Sequence, residues 1–68
     1  MNAHDPNIDG LAQLHYGDGD YVVLKPGRFV VCAVTARQIP LDALRYWSID
    51  LQEPYVGPGE LMERAAAA

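Results

Sequence analysis

The most chemically versatile side chain in this sequence, a thiol, occurs once, at Cys32. It opens the run Cys32-Ala33-Val34-Thr35-Ala36, which is followed by Ile39-Pro40. A zinc knuckle would carry a second cysteine where Thr35 stands and a glycine where Ala36 stands. A further ligand pair would follow about 15 to 20 residues on. That window holds Ser48, Asp50 and Gln52. A structural zinc site uses four side-chain ligands, and one is present. The spacing therefore predicts no metal site and no cofactor. Cys32 alternates with Val30 and Val34, so its expected role is that of a free thiol buried as a small apolar residue. A reactive thiol would need an exposed, electropositive setting.

The remaining polar constellations are weaker. His15 sits on the more polar side of a strand-like run, and no nucleophile elbow accompanies either His4 or His15. Asp18-Gly19-Asp20 lacks the twelve-residue loop and closing Glu of a calcium site, and turn chemistry accounts for it. Arg45, Tyr46 and Trp47, with Phe29, Lys25, Arg28 and Arg37, have the composition of a stacking platform for single-stranded nucleic acid. The net charge of -4 opposes that partner, and Trp47 alternates with Ile49 and Leu51 as a core residue would. No catalytic residue stands out, and the chain is not expected to be an enzyme.

Sixty-eight residues make one domain. A chain of this size buries only about 60% of its unfolded surface, so its core is thin. With one cysteine, no internal disulfide is possible. The lone thiol, the lack of a signal-peptide pattern in residues 1–10 and the absence of a long apolar run predict a cytoplasmic protein without a membrane span. Residues 1–20 carry acidic groups alone, residues 21–45 are mostly basic, and residues 46–68 are mostly acidic again.

The elements that would position these residues are short. Residues 1–10 read as a flexible arm, 11–64 as a single small domain and 65–68 as a frayed tail. Leu11–Tyr16 reads as a strand with Ala12, Leu14 and Tyr16 on one face. Asp18-Gly19 predicts a primed hairpin turn, and Tyr21–Lys25 the returning strand. Pro26-Gly27 predicts a type II turn with positive φ at Gly27, and Arg28–Val34 a third strand. Together these make a three-strand antiparallel meander. Arg45–Glu53 alternates with period two and predicts a fourth strand with Trp47, Ile49 and Leu51 inward. Pro58 suits the first position of a short C-terminal helix. The fold class is mainly β, a small α+β domain. The expected core is Leu14, Val22, Leu24, Val30, Cys32, Val34, Ile39, Leu44, Trp47, Ile49, Leu51 and Leu61; either face of Tyr21–Leu24 would serve as the inner one.

A sheet of so few strands leaves edges open to another chain. The expected function is thus a non-enzymatic protein-binding or adaptor module with an unidentified protein partner, self-association through a sheet edge included. The polar exit from the last strand, with Arg45, Tyr46, Gln52, Glu53 and Tyr55, is the candidate interaction surface.

The residues Cys32-Ala33-Val34-Thr35, Ile39-Pro40-Leu41, Leu44-Arg45-Tyr46-Trp47-Ser48 and Gln52-Glu53, with Leu14-His15-Tyr16 and Gly19-Asp20 before them, resemble a family of short, largely alphaproteobacterial proteins, domain of unknown function family 2093. The resemblance covers most of the chain and implies no particular activity. Members usually carry glycine where Ala36 stands. If that position requires positive φ, alanine costs up to about 1 kcal/mol there. The same phrase is similar to treble-clef zinc modules, in which Cys-x-x-Cys-Gly-x-x-Ile-Pro precedes a second cysteine pair. That likeness implies an alternative, a nucleic-acid-associated relative of a zinc knuckle that has lost its metal ligands.

Overall fold

The computed structural model describes residues 10–67. The chain is a small α+β domain, mostly antiparallel hairpins with one C-terminal helix. Strands β1 (Gln13–Tyr16) and β2 (Tyr21–Lys25) pair with each other, as do β3 (Phe29–Val31) and β4 (Gln38–Pro40), and β5 (Tyr46–Ser48) and β6 (Glu53–Tyr55). A 3-10 turn, Leu41–Ala43, links β4 to β5, and helix α1 spans Pro58–Ala67. Residues 1–9 of the expected flexible arm lie outside the described residues.

The alternation in β1 holds: Leu14 and Tyr16 are buried, as is Ala12 before them, while Gln13 and His15 face outward. Val30 of β3 lies opposite Ile39 of β4, and both are buried. Leu44, Cys32 and Tyr55 complete the core, with Trp47, Tyr21, Val34, Leu41 and Leu61 packed against it. Burying an aliphatic side chain such as Leu44 or Ile39 stabilises a fold by about 1.5–3 kcal/mol. A core this small tolerates the loss of few of them.

The three-strand meander does not form. β3 pairs with β4 on one side, and the segment entering β1 takes the other. Ala12 donates its N–H to the Phe29 carbonyl at 2.7 Å, and Leu11 forms a parallel bridge with Phe29. Among the described residues, β2 therefore pairs only with β1. Gly27 permits this crossing. Its φ is not positive; instead, a Cβ there would come within 2.4 Å of the Ala12 nitrogen and 2.6 Å of the Gly10 carbonyl oxygen. The glycine answers a close approach of backbones, not a type II turn. The hairpin loop at Gly17–Asp20 differs in detail as well. Gly17 donates to the Asp20 carbonyl at 2.8 Å, which brackets a two-residue loop, but only Gly19 takes positive φ, 84°, so the turn is not of the primed type.

The fourth strand expected over Arg45–Glu53 is a hairpin. Its two arms are β5 and β6, with Tyr46 opposite Tyr55 and Trp47 opposite Pro54. The Ser48 hydroxyl oxygen accepts the Leu51 N–H at 3.0 Å, and Gln52 takes φ 54°. Short polar residues that bond their own backbone favour such turns. Ile49 and Leu51 ride out on the turn, 49% and 46% exposed, not in the core. Val22 and Leu24, also expected inside, are 61% and 60% exposed.

Helix α1 begins at Pro58, and Leu61 N–H reaches the Gly57 carbonyl at 3.2 Å. It continues through Ala65–Ala67, where fraying is expected from the sequence. Arg64 clamps it to β6: Nε donates to Glu53 Oε1 at 3.0 Å and Nη2 to Oε2 at 3.1 Å. This two-pronged geometry is the stronger form of such a pair.

Candidate interaction surface and the Cys32 knuckle

Cys32 sits where a knuckle cysteine would. Its N–H donates to the Arg37 carbonyl at 2.8 Å, and its carbonyl accepts the Ala36 N–H at 2.9 Å. The turn closes because Ala36 adopts φ 65°, the left-handed conformation usually left to glycine. The thiol is free and 2% exposed. Val56, between β6 and α1, donates its N–H to Sγ at 3.4 Å. Burial alone would push the thiol up. Hydrogen bonds from the Thr35 hydroxyl and from the backbone of Thr35, Val34 and Val56 outweigh burial and hold it below its ordinary value.

After the knuckle turn come β4, the 3-10 turn, the β5–β6 hairpin and helix α1. The position of a second knuckle ligand holds Thr35, and the window for a further pair holds Ser48, Asp50 and Gln52. Among the described residues, no group of three or more His, Cys, Asp or Glu side chains is close enough to hold a metal ion. The donor set does not fit zinc. The knuckle sulfur instead accepts hydrogen bonds from two segments of the chain and packs in the core beside Tyr55. His4 lies outside the described residues. His15 faces outward from β1 opposite Val22, away from Cys32's cradle.

The candidate surface drawn from Arg45, Tyr46, Gln52, Glu53 and Tyr55 comes apart. Tyr55 is 1% exposed and has no face to offer. Its hydroxyl donates to Glu53 Oε1 at 3.1 Å. Glu53 is occupied by that hydroxyl and by Arg64. The Gln52 side chain closes the outer edge of β1. Its Oε1 accepts the Tyr16 N–H at 2.9 Å, and its Nε2 donates to the Tyr16 carbonyl at 2.8 Å. One amide thus imitates a neighbouring strand. No local signal in the sequence marks Gln52 as a clamp.

Arg45 and Tyr46 do reach the surface. With Trp47, Asp18, Ile49 and Leu61 they line an open groove of about 330 Å³. Trp47 is not free to stack on a base. Its Nε1–H donates to the Gly17 carbonyl at 2.8 Å, and its ring packs on Tyr16 at 5.8 Å and edge-on to Tyr21 at 5.9 Å. Asp18 and Arg45 line the same groove, one acidic and one basic.

The surface that sequence reading missed is β2. Val22, Val23 and Leu24 are 61%, 48% and 60% exposed, an unbroken apolar run on a strand that, among the described residues, is paired along one side only. Its β-branched composition is legible in the sequence; its lack of a second neighbour is not. A register shift against Gln13 and Leu14 leaves Leu24 as an extra residue, a bulge. Among the described residues no helix is long and apolar enough to cross a membrane.

No curated protein and no solved structure matches the chain. A family model described as "Uncharacterized protein conserved in bacteria" matches residues 23–64, from within β2 through the knuckle and the hairpin to Arg64 of α1. That match spans well over half of the sequence, so the chain belongs to this bacterial family, domain of unknown function family 2093.

Proposed function

We propose that the chain is a non-enzymatic protein-binding module of the bacterial cytoplasm, and that the free edge of β2 is its contact surface. The observation that carries this reading is the exposure of Val22, Val23 and Leu24 together on an edge strand. Such an edge offers backbone donors and acceptors to an incoming strand, and its side chains supply apolar contact. Against an enzymatic role, Cys32 is enclosed in the core, and His15 lies on the opposite side of β1 from the buried residues. A lone thiol accords with a reducing compartment.

The test is capture from lysate of the source bacterium with two baits, the wild-type chain and a Val22→Lys/Leu24→Lys variant shown by circular dichroism to be folded. Both substituted positions are already exposed, so the fold should survive. Partners held by the wild-type chain and lost by the variant support the reading. Identical capture by both baits removes β2 as the contact surface.

A further inference from the structure

We infer that the partner at this edge is a second copy of the same chain, with β2 docked antiparallel on β2 about a two-fold axis at Val23. This rests on the reading of β2 as the contact surface and names its occupant.

The backbone geometry sets the register. Tyr16 gives both its N–H and its carbonyl to Gln52, on the side away from β2. Its partner in the pair, Tyr21, therefore points its own peptide groups away from β1, and so does Val23, two residues on. The Tyr21 N–H is taken by Asp20 Oδ1 at 2.8 Å. Val23 is left to present its N–H and carbonyl at the open edge. Two copies facing each other there exchange a pair of backbone hydrogen bonds, Val23 to Val23, with Val22 opposite Leu24 on either side.

A two-fold contact demands a surface that complements itself when reversed. β2 meets that demand in charge as well as in shape. Its entry carries Asp18 and Asp20, its centre is Val22-Val23-Leu24, and its exit carries Lys25. Reversal sets the acidic entry of one copy beside the basic exit of the other at both ends. A parallel pairing would set like charges together instead. The bulge at Leu24 aids this. It pairs Lys25 with exposed Gln13, on the same outward face as His15 and Val22. The turn at Gly17–Asp20 and Pro26, which has no N–H, bound the run to five residues, about 17 Å of strand. So short a seam buries much less than the ~1,600 Å² of a standard interface, and the dimer should be weak and concentration-dependent.

Sedimentation equilibrium of the full chain, from micromolar to millimolar concentration, tests this with two charge-reversed variants. The expected result is a monomer–dimer equilibrium for the wild type. Asp20→Lys and Lys25→Glu each weaken self-association by roughly tenfold or more. An equimolar mixture of the two recovers association as a heterodimer, because opposite charges then face each other at both contacts between positions 20 and 25. Recovery in the mixture also shows that neither variant is merely unfolded. A wild type that stays monomeric throughout, or variants that self-associate as the wild type does, overturns the inference. A monomer whose Val23 amide is nevertheless protected from exchange would put another segment of the same chain at the edge, which also overturns it. If the wild type is monomeric yet Val22→Lys/Leu24→Lys loses its captured partners, self-pairing alone falls and the protein-binding reading stands.

Discussion

The backbone N–H of Val56 points at the sulfur of Cys32 across 24 positions of sequence, at 3.4 Å. That contact ties the knuckle turn to the joint between β6 and α1, where a metal would otherwise draw the two together. If the sulfur acts as an acceptor and not only as filler, Cys32→Ser should be tolerated better than Cys32→Val. Serine keeps an acceptor for Val56 and Thr35. Valine is the more apolar but strands buried N–H groups, at roughly 1–3 kcal/mol for an unsatisfied donor. Urea unfolding should rank wild type above Ser and Ser above Val. The reverse order of the two variants would mean that the site responds to volume alone.

Ala36 holds φ 65° to close the same turn. Ala36→Gly should raise stability by about 1 kcal/mol, since glycine reaches that conformation without the Cβ clash. Ala36→Val should lower it, because a β-branched residue is a true outlier there. Thermal or urea unfolding of the three proteins checks both directions.

Gln52 carries strain and a clamp together, with φ 54° and two hydrogen bonds to Tyr16. Gln52→Ala should cost about 1–2 kcal/mol from the lost pair of bonds. Gln52→Gly loses the same bonds but relieves the backbone, so it should prove the milder of the two. That reverses the usual order of Gly and Ala, and equilibrium unfolding can read it.

Much of this was legible in local pattern and much was not, for a physical reason. The inward row of Ala12, Leu14 and Tyr16, the helix start at Pro58 and the backbone demand at Ala36 each depend on a few neighbouring residues. The partner of β3 does not. It is decided by Gly27 admitting the backbone of Gly10–Ala12, a contact between segments that sequence leaves unordered. Ile49 and Leu51 satisfy strand alternation, yet the Ser48 turn decides their position. The same turn shifts Tyr55 from an expected surface into the core. The knuckle was visible at Cys32, whereas the edge at β2 is a consequence of topology.

Alkaline pH should loosen the fold through two tyrosines. Burial pushes Tyr16 up to about 12 from an ordinary 10.0. Burial, the hydrogen bond to Glu53 and its charge push Tyr55 up too, against opposing effects of Ser48 and Arg64. A phenol favoured in its neutral form by the fold contributes its stability in full below the unfolded value. It loses that contribution as pH rises from there through the folded value. Denaturant midpoints should therefore fall as pH climbs above 10. Tyr16→Phe and Tyr55→Phe should each remove part of the late rise in tyrosinate absorbance. A midpoint that holds steady through this range would contradict the burial of both rings.

Self-pairing puts the β2 of one molecule against the β2 of a second copy. An amide-resolved NMR dilution series of the full chain tests it most directly. With self-pairing, shifts grow with concentration at Val22, Val23 and Leu24, the Val23 amide gains protection from exchange, and nothing changes around Cys32. Spectra that do not depend on concentration, or shifts centred on Arg45, Tyr46 and Trp47, would contradict it.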